Sequence, residues 1–229
     1  MKAIRQEGGC ATLRRLYEVV DTSGWKTNTP AETIRRIVQN IRSTYRVEAG
    51  LWALEDCREE VQRRFSLKEG DKRSQEQFGH GYYQGLLVEI GKYRHLTTYV
   101  PAQDKGRMFV DRRLGEVADL VDIPKFTYEH LLRKARTVDV ICFNEREMPA
   151  EFYEVEHTTD MRNSLGKFYE LQDFNAKFFI VADKVRKREF EDRIHDSMFR
   201  AIVSRVRFLA YDKVASKYSL VRDLSALEW

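Results

Sequence analysis

Two short apolar runs, Val138-Asp139-Val140-Ile141-Cys142-Phe143 and Phe152-Tyr153-Glu154-Val155-Glu156, limit what this chain can fold into more than any other feature. Both read as strands, and both carry acid where a core strand carries none. Taking a carboxylate out of water costs roughly several kcal/mol unless something compensates, so the acids imply a cation, a strong partner or a solvent-open sheet end. Of these a metal ion fits best. Because side chains alternate along a strand, Glu154 and Glu156 face one side with Phe152, while Tyr153 and Val155 face the other. Asp139 on a neighbouring strand brings a third carboxylate to the same end. Oxygen-only ligands of this kind suit Mg²⁺ or Mn²⁺ rather than zinc. Such an ion polarises a phosphoryl oxygen, activates an attacking water and neutralises charge on the leaving group, which is what phosphodiester hydrolysis needs. The competing reading is a sheet edge whose acids pair with nearby cations such as Arg136 or Arg162.

The surrounding pattern is α/β. Tyr83, Leu86, Leu87 and Ile90 form a helical stripe through residues 82–93, and Thr97 to Val100 reads as an edge strand stopped by Pro101. A helix over 127–135 with Leu131 and Leu132 buried, a helix near 165–174, a strand over 178–182 and helical residues from 188 to about 203 follow, before a tail at 207–211. This order predicts a mixed sheet covered on both sides by helices.

Residues 1–56 form a separate first unit. Leu13, Leu16, Tyr17 and Val20 make one amphipathic stripe. A second helix starts with Thr29 as N-cap, Pro30 at the first helical position and Glu32 closing a capping box. Its inward stripe is Ile34, Ile37, Val38 and Ile41, which leaves Arg35, Arg36, Gln39 and Arg42 on a basic outward face, as in a recognition helix. A hairpin closed at Gly50 completes the order of a winged helix. Lys and Arg outnumber Asp and Glu nine to five over residues 1–54, an excess equal to the net charge of +4 for the whole chain. Clustering of this kind is an electrostatic footprint for phosphates, so Arg35, Arg36, Gln39, Arg42 and Lys26 are the candidate DNA contacts. Residues 57–78 are charge-dense and read as a helical-to-flexible connector. The three cysteines are too scattered for a disulfide framework, and no apolar run approaches the roughly 20 residues of a membrane helix. A cytoplasmic protein is expected.

Gly8-Gly9, Leu13 to Tyr17, Trp25-Lys26-Thr27, Thr29-Pro30 and Gly50 to Leu54 together resemble the HARE-HTH family of winged helices, over about the first quarter of the chain. That family is found fused to restriction nucleases and chromatin factors, which implies contact with double-stranded DNA. Val138-Asp139-Val140, then Glu154-Val155-Glu156-His157-Thr158-Thr159, then a helix and an apolar strand, is similar to the PD-(D/E)XK nuclease superfamily over roughly residues 79–183. The resemblance implies a magnesium-dependent endonuclease of restriction or defence in which Asp139, Glu154 and the Val155 carbonyl bind the metal. Glu89, on the opening helix with Gln84, is a further candidate ligand. The third position of the motif is normally lysine and here is Glu156, which leaves the water-orienting role open. Some type II restriction enzymes with an E-x-E version are active, and Glu156 is a candidate to help hold a second ion or to take the proton from water. Lys167, on the next helix, is a candidate replacement for the lysine beside its plainer reading as a solvated charge. His157 reads as a hydrogen-bonded structural histidine.

Gly79-His80-Gly81 with Gly85 does not make a nucleotide loop, since no strand precedes it and the spacing is wrong. No serine or cysteine stands in a recognisable nucleophile motif, so hydrolysis through a covalent intermediate is not expected. Two other functions stay open: a non-catalytic DNA-binding regulator with a degenerate nuclease domain, and a repair nuclease that recognises DNA structure. Cutting both strands commonly takes two active sites, which a homodimer supplies.

Overall fold

The computed structural model describes residues 1–157 and 160–225, with side chains described up to residue 220. Thr158 and Thr159 of the motif above lie outside the described residues. The chain divides into two compact units, Met1–Gly79 and His80–Trp229.

In the first unit the order is α1 (Lys2–Gln6), β1 (Cys10–Thr12), α2 (Leu13–Val19), α3 (Pro30–Asn40), β2 (Thr44–Glu48), β3 (Leu51–Leu54) and α4 (Arg58–Arg64). The three strands form an antiparallel sheet with β3 in the centre. Gly50 closes the β2–β3 hairpin at φ +78°, a backbone conformation that side chains with a Cβ resist. Ile4, Ala11, Leu16, Ile34, Val38 and Leu54 fill the core beneath it. Two details depart from the reading of the sequence. Thr29 makes no side-chain cap bond, so the expected capping box is absent; Thr33 Oγ1 donates instead to the Thr29 carbonyl at 3.1 Å. Ile37, expected on the inward stripe, is 39% exposed. The charge-dense segment after residue 56 is structured over α4, whose Val61 is fully buried, and Phe65 stacks on Phe78 with ring centroids 4.4 Å apart.

Helix α5 (Lys72–Tyr93) runs on into the second unit, where β4 (Thr97–Tyr99), β5 (Met108–Phe109), β6 (Arg112–Arg113), α6 (Leu114–Val117), α7 (Glu129–Ala135), β7 (Val140–Phe143) and β8 (Pro149–Glu156) follow. The chain continues through α8 (Met161–Glu170), β9 (Lys177–Ala182), α9 (Lys187–Ile194), β10 (Val206–Ala210) and α10 (Tyr211–Ser225). Five strands make one mixed sheet in the order β10-β9-β8-β7-β4; β4, β7 and β8 are mutually antiparallel, and β8, β9 and β10 parallel. The expected tail at 207–211 is therefore largely an edge strand, and the helix expected to reach residue 203 stops at Ile194.

Helices flank this sheet. On one face Ile141, Phe143, Phe152, Phe178 and Ile180 pack with Leu165 and Phe168 of α8 and Phe190 of α9. On the other lies α5, whose Tyr83, Leu86, Leu87 and Ile90 are all buried. Gly91 permits that approach, because a Cβ there would fall 2.8 Å from Thr98 Cγ2 and 2.9 Å from Cys142 Sγ. Tyr83 of α5 also stacks on Tyr211 of α10 at 3.8 Å. No helix among the described residues is long and apolar enough to cross a membrane.

Candidate active site

The antiparallel register sets Val140 opposite Tyr153, so the residue before β7, Asp139, falls beside the end of β8 that carries Glu154 and Glu156. All three acids are buried, Asp139 at 9% exposure, Glu154 at 2% and Glu156 at 3%. Asp139 Oδ2 accepts the Val155 backbone N–H at 2.7 Å, which fixes the carboxylate across the strand pair. Helix α8, capped by Asp160, turns Ser164 and Lys167 onto the same side one turn apart. Lys167 Nζ bonds both Glu154 oxygens at 2.9 and 2.8 Å and the Thr137 carbonyl at 2.8 Å. Arg186 lies 3.8 Å from Glu156.

Ser164 Oγ reaches Glu154 at 2.9 Å and also contacts Glu156. A hydroxyl carries one proton, so satisfying both carboxyls requires a proton on one of them. The electrostatics agree. Burial, and next the charge of Asp139, push the Glu154 carboxyl well above the ordinary carboxylate range, against the pull of Lys167. Burial would lower the Lys167 ammonium, but Glu154, Asp139 and Glu156 outweigh it and hold the group above its usual value.

A second set of side chains meets Asp139 from α5 and the loop after β4. Gln84, fully buried, donates from Nε2 to Asp104 Oδ2 at 2.9 Å and to the Asp139 carbonyl at 3.0 Å. Arg107 holds the other Asp104 oxygen at 2.6 Å. One turn before Gln84, His80 Nε2 stands 3.6 Å from Asp139 Oδ1 and 3.9 Å from Asp104 Oδ2. Ligand atoms of His80, Asp104 and Asp139 all fall within 4.8 Å of one another. His80 and Asp104 were not among the site residues expected from the sequence. Their nearest signal was His80 one helical turn from Gln84, and nothing local linked either residue to Asp139, 59 and 35 positions away.

The other candidates fall as follows. Glu89 pairs with Arg112 at 3.0 Å, nine residues or about 13 Å along α5 from His80, so it is not with the acids. Arg136 pairs with Asp122 and Glu129 rather than with the site. Arg162, with Lys134, Asn163 and Lys167, lines a cleft of about 520 Å³ along α8. His157 was expected to be hydrogen-bonded, but its Nε2 is buried with no partner among the described residues, its ring 5.1 Å from Tyr211. Burial, helped by His80 and Arg186, lowers its pKa to about 3. In the first unit Arg35, Arg36 and Gln39 on α3, with Arg42 after it and Lys26 before it, are all exposed.

Residues 60–227 match the family described as the type II restriction enzyme NmeDI C-terminal domain. The chain belongs to that family. The NmeDI match takes in every residue of the acidic sheet end and of the His80–Asp104 set. The type II restriction enzyme NmeDI of Neisseria meningitidis serogroup C is 26% identical over 154 residues, 62% of this chain, and the chain spans 42% of that relative's length. No solved structure matches the chain.

Proposed function

We propose that this NmeDI-family chain is a divalent-ion-dependent DNA endonuclease of restriction type, with a PD-(D/E)XK-like catalytic unit and a winged helix that positions the duplex. The observation that carries the reading is the convergence of Asp139, Glu154 and Glu156 with Lys167 at one end of a mixed sheet. Buried like charges are costly, and folds keep them where chemistry uses them. The residues fit a divalent ion: Asp139 keeps one oxygen without a backbone bond, 3.6 Å from His80 Nε2, and a further carboxylate oxygen stands beside it. When bound, such an ion neutralises charge on the scissile phosphate and eases loss of a proton from water.

Lys167 restores the cation that the E-x-E motif lacks. Its ammonium stands on Glu154 although it comes from α8, so it is placed to orient water and to balance charge at the phosphate. Ser164 bridges the two glutamates, donating to one carboxylate and accepting from the other carboxyl. Lys134, Arg162 and Asn163 line the cleft leading from Lys167, a cationic surface that suits the sugar–phosphate backbone.

In the first unit the order helix, strand, helix, helix, strand, strand supports the winged-helix reading. Arg35, Arg36, Gln39, Arg42 and Lys26 stay in water on the surface, where phosphate contacts release counterions. Restriction is the biological role these features suit, and a homodimer would supply the second active site for double-strand cutting.

The test is cleavage of long genomic DNA, plain and base-modified, by the purified chain with Mg²⁺ or Mn²⁺. Fragments should appear with ion and vanish in Glu154→Gln, while Arg36→Ala should cut only at raised protein concentration, its binding losing about one unit of salt slope. Wild-type DNA binding without cutting under any ion would instead assign a non-catalytic binder, a reading favoured by the full occupation of the Glu154 oxygens by Lys167 and Ser164.

A further inference from the structure

We infer that the ion of this site is held by an imidazole nitrogen together with two carboxylates, His80, Asp104 and Asp139, and that this ligand set selects Mn²⁺ over Mg²⁺. Glu154 then serves as the partner of Lys167 instead of as a direct ligand. The inference deepens the nuclease reading and rests on it only for its purpose, since ion binding is measurable without DNA.

Three observations carry it. First, the donors converge without touching: His80 Nε2 lies 3.6 and 3.9 Å from its two acids, beyond hydrogen-bond length, so no direct bond explains the grouping. An octahedral ion at about 2.1 Å from each ligand sets neighbouring ligands about 3.0 Å apart and opposite ones about 4.2 Å apart, and the two His80 separations fall between. Second, both acids are held in place by neighbours, with Asp139 Oδ1 left facing His80. Arg107 takes Asp104 Oδ1, the Val155 N–H takes Asp139 Oδ2, and Gln84 braces Asp104 and the Asp139 carbonyl together. This is the bracing that orients metal ligands. Third, Gln84 is fully buried, yet its Oε1 has no hydrogen-bond partner among the described residues. A buried acceptor left over beside converging ligands is what an ion-bound water would satisfy.

The set also differs in kind from the acid trio. Glu154 has both oxygens against the Lys167 ammonium, with Ser164 on one of them, whereas Asp139 Oδ1 faces His80 and Asp104 Oδ2, which faces it too, is shared only with the neutral Gln84 amide. Carboxylates alone suit Mg²⁺; adding imidazole shifts preference along the first-row series toward Mn²⁺ and later ions.

The test is calorimetric titration of the full chain, without DNA, with MnCl₂ and with MgCl₂, joined to pulsed electron paramagnetic resonance of bound Mn²⁺. Expected are Mn²⁺ binding on the order of tenfold tighter than Mg²⁺ and a nitrogen coupling from a directly bound imidazole. His80→Gln should abolish that coupling and weaken Mn²⁺ by about tenfold or more, with Asp104→Asn behaving alike and Glu154→Gln keeping the coupling. Unfolding midpoints close to the parent's would show that His80→Gln, a partly exposed helical position, leaves the fold intact. Bound Mn²⁺ with no nitrogen coupling, unchanged Mn²⁺ affinity in His80→Gln, or no Mn²⁺ binding at all would each overturn the inference. Cutting that persists with an ion lacking nitrogen coupling sinks this ligand set and spares the nuclease; a nitrogen-bound ion with no cutting does the reverse.

Discussion

Strand β8 buries acid at both ends, and the two ends differ in what surrounds it. Glu151, near the start, is 3% exposed and held by Arg94 at 2.6 Å and the Tyr153 hydroxyl at 2.6 Å, with Lys177 at 3.8 Å. Burial would raise its carboxyl, but Arg94 and Tyr153 outweigh it and hold the group below the ordinary range. Glu154, at the far end, is equally buried and also has a cation, yet its carboxyl is pushed up by burial and by Asp139. A buried acid with a cation is therefore an ordinary structural device on this strand. What distinguishes the far end is crowding of carboxylates around the cation, a cost the fold bears without structural return.

That contrast is broken most sharply by activity. Asp139→Asn should lower DNA cutting by on the order of 10³-fold, whereas Glu151→Gln should leave the rate of the folded fraction within a few fold; equal losses in gel-based cleavage rates would erase the distinction. Stability should run the other way. Glu151→Ala strands Arg94, and because that side chain is 34% exposed the loss should lie near about 3 kcal/mol, the low end for a broken buried pair. Asp139→Asn keeps an acceptor for the Val155 N–H and removes a like charge, so it should gain on the order of 1 kcal/mol in urea unfolding without added ions.

Lys167→Met sharpens the comparison from the cation's side. Removing the ammonium should cost about 1–3 kcal/mol, and adding Glu154→Gln should recover part of it, since the neutral amide no longer needs the charge. Additive losses in the double variant would show that the pair is not coupled. The smallest effect is in pH dependence. Glu151 has a folded pKa below its unfolded one, so its contribution is complete above the ordinary carboxylate value of about 4.3 and is lost as pH falls through the lower folded value. Glu151→Gln should flatten the acid limb of stability below about pH 4.3 and leave neutral pH dependence unchanged.

Much of this was legible in the residues. Acids inside apolar runs disclosed β7, β8 and the sheet end they share, because alternation and desolvation are local rules that need only neighbours in sequence. The stripe Tyr83, Leu86, Leu87 and Ile90 disclosed α5 for the same reason. His80 and Asp104 were not legible. They reach Asp139 only through tertiary packing of α5 on the sheet, and His80 lay within a glycine-rich stretch, Gly79-His80-Gly81, whose local pattern suggested only a failed nucleotide loop. Glu89 misled because an acid near a buried stripe gives no sign of which neighbour claims it; Arg112 does. Strand β10 was missed because its residues 206–210 border no turn signal and its pairing partner, β9, lies well back in the chain.

The buried acids at the end of β8 are proposed to perform ion-dependent hydrolysis. The most direct measurement is cleavage of long genomic DNA by the full chain with and without Mn²⁺, run beside Asp139→Asn and Glu151→Gln. Fragments are expected from wild type and Glu151→Gln only when the ion is present, and none from Asp139→Asn. Intact DNA from folded wild type with every divalent ion, or equal cutting by Asp139→Asn, would contradict the proposal.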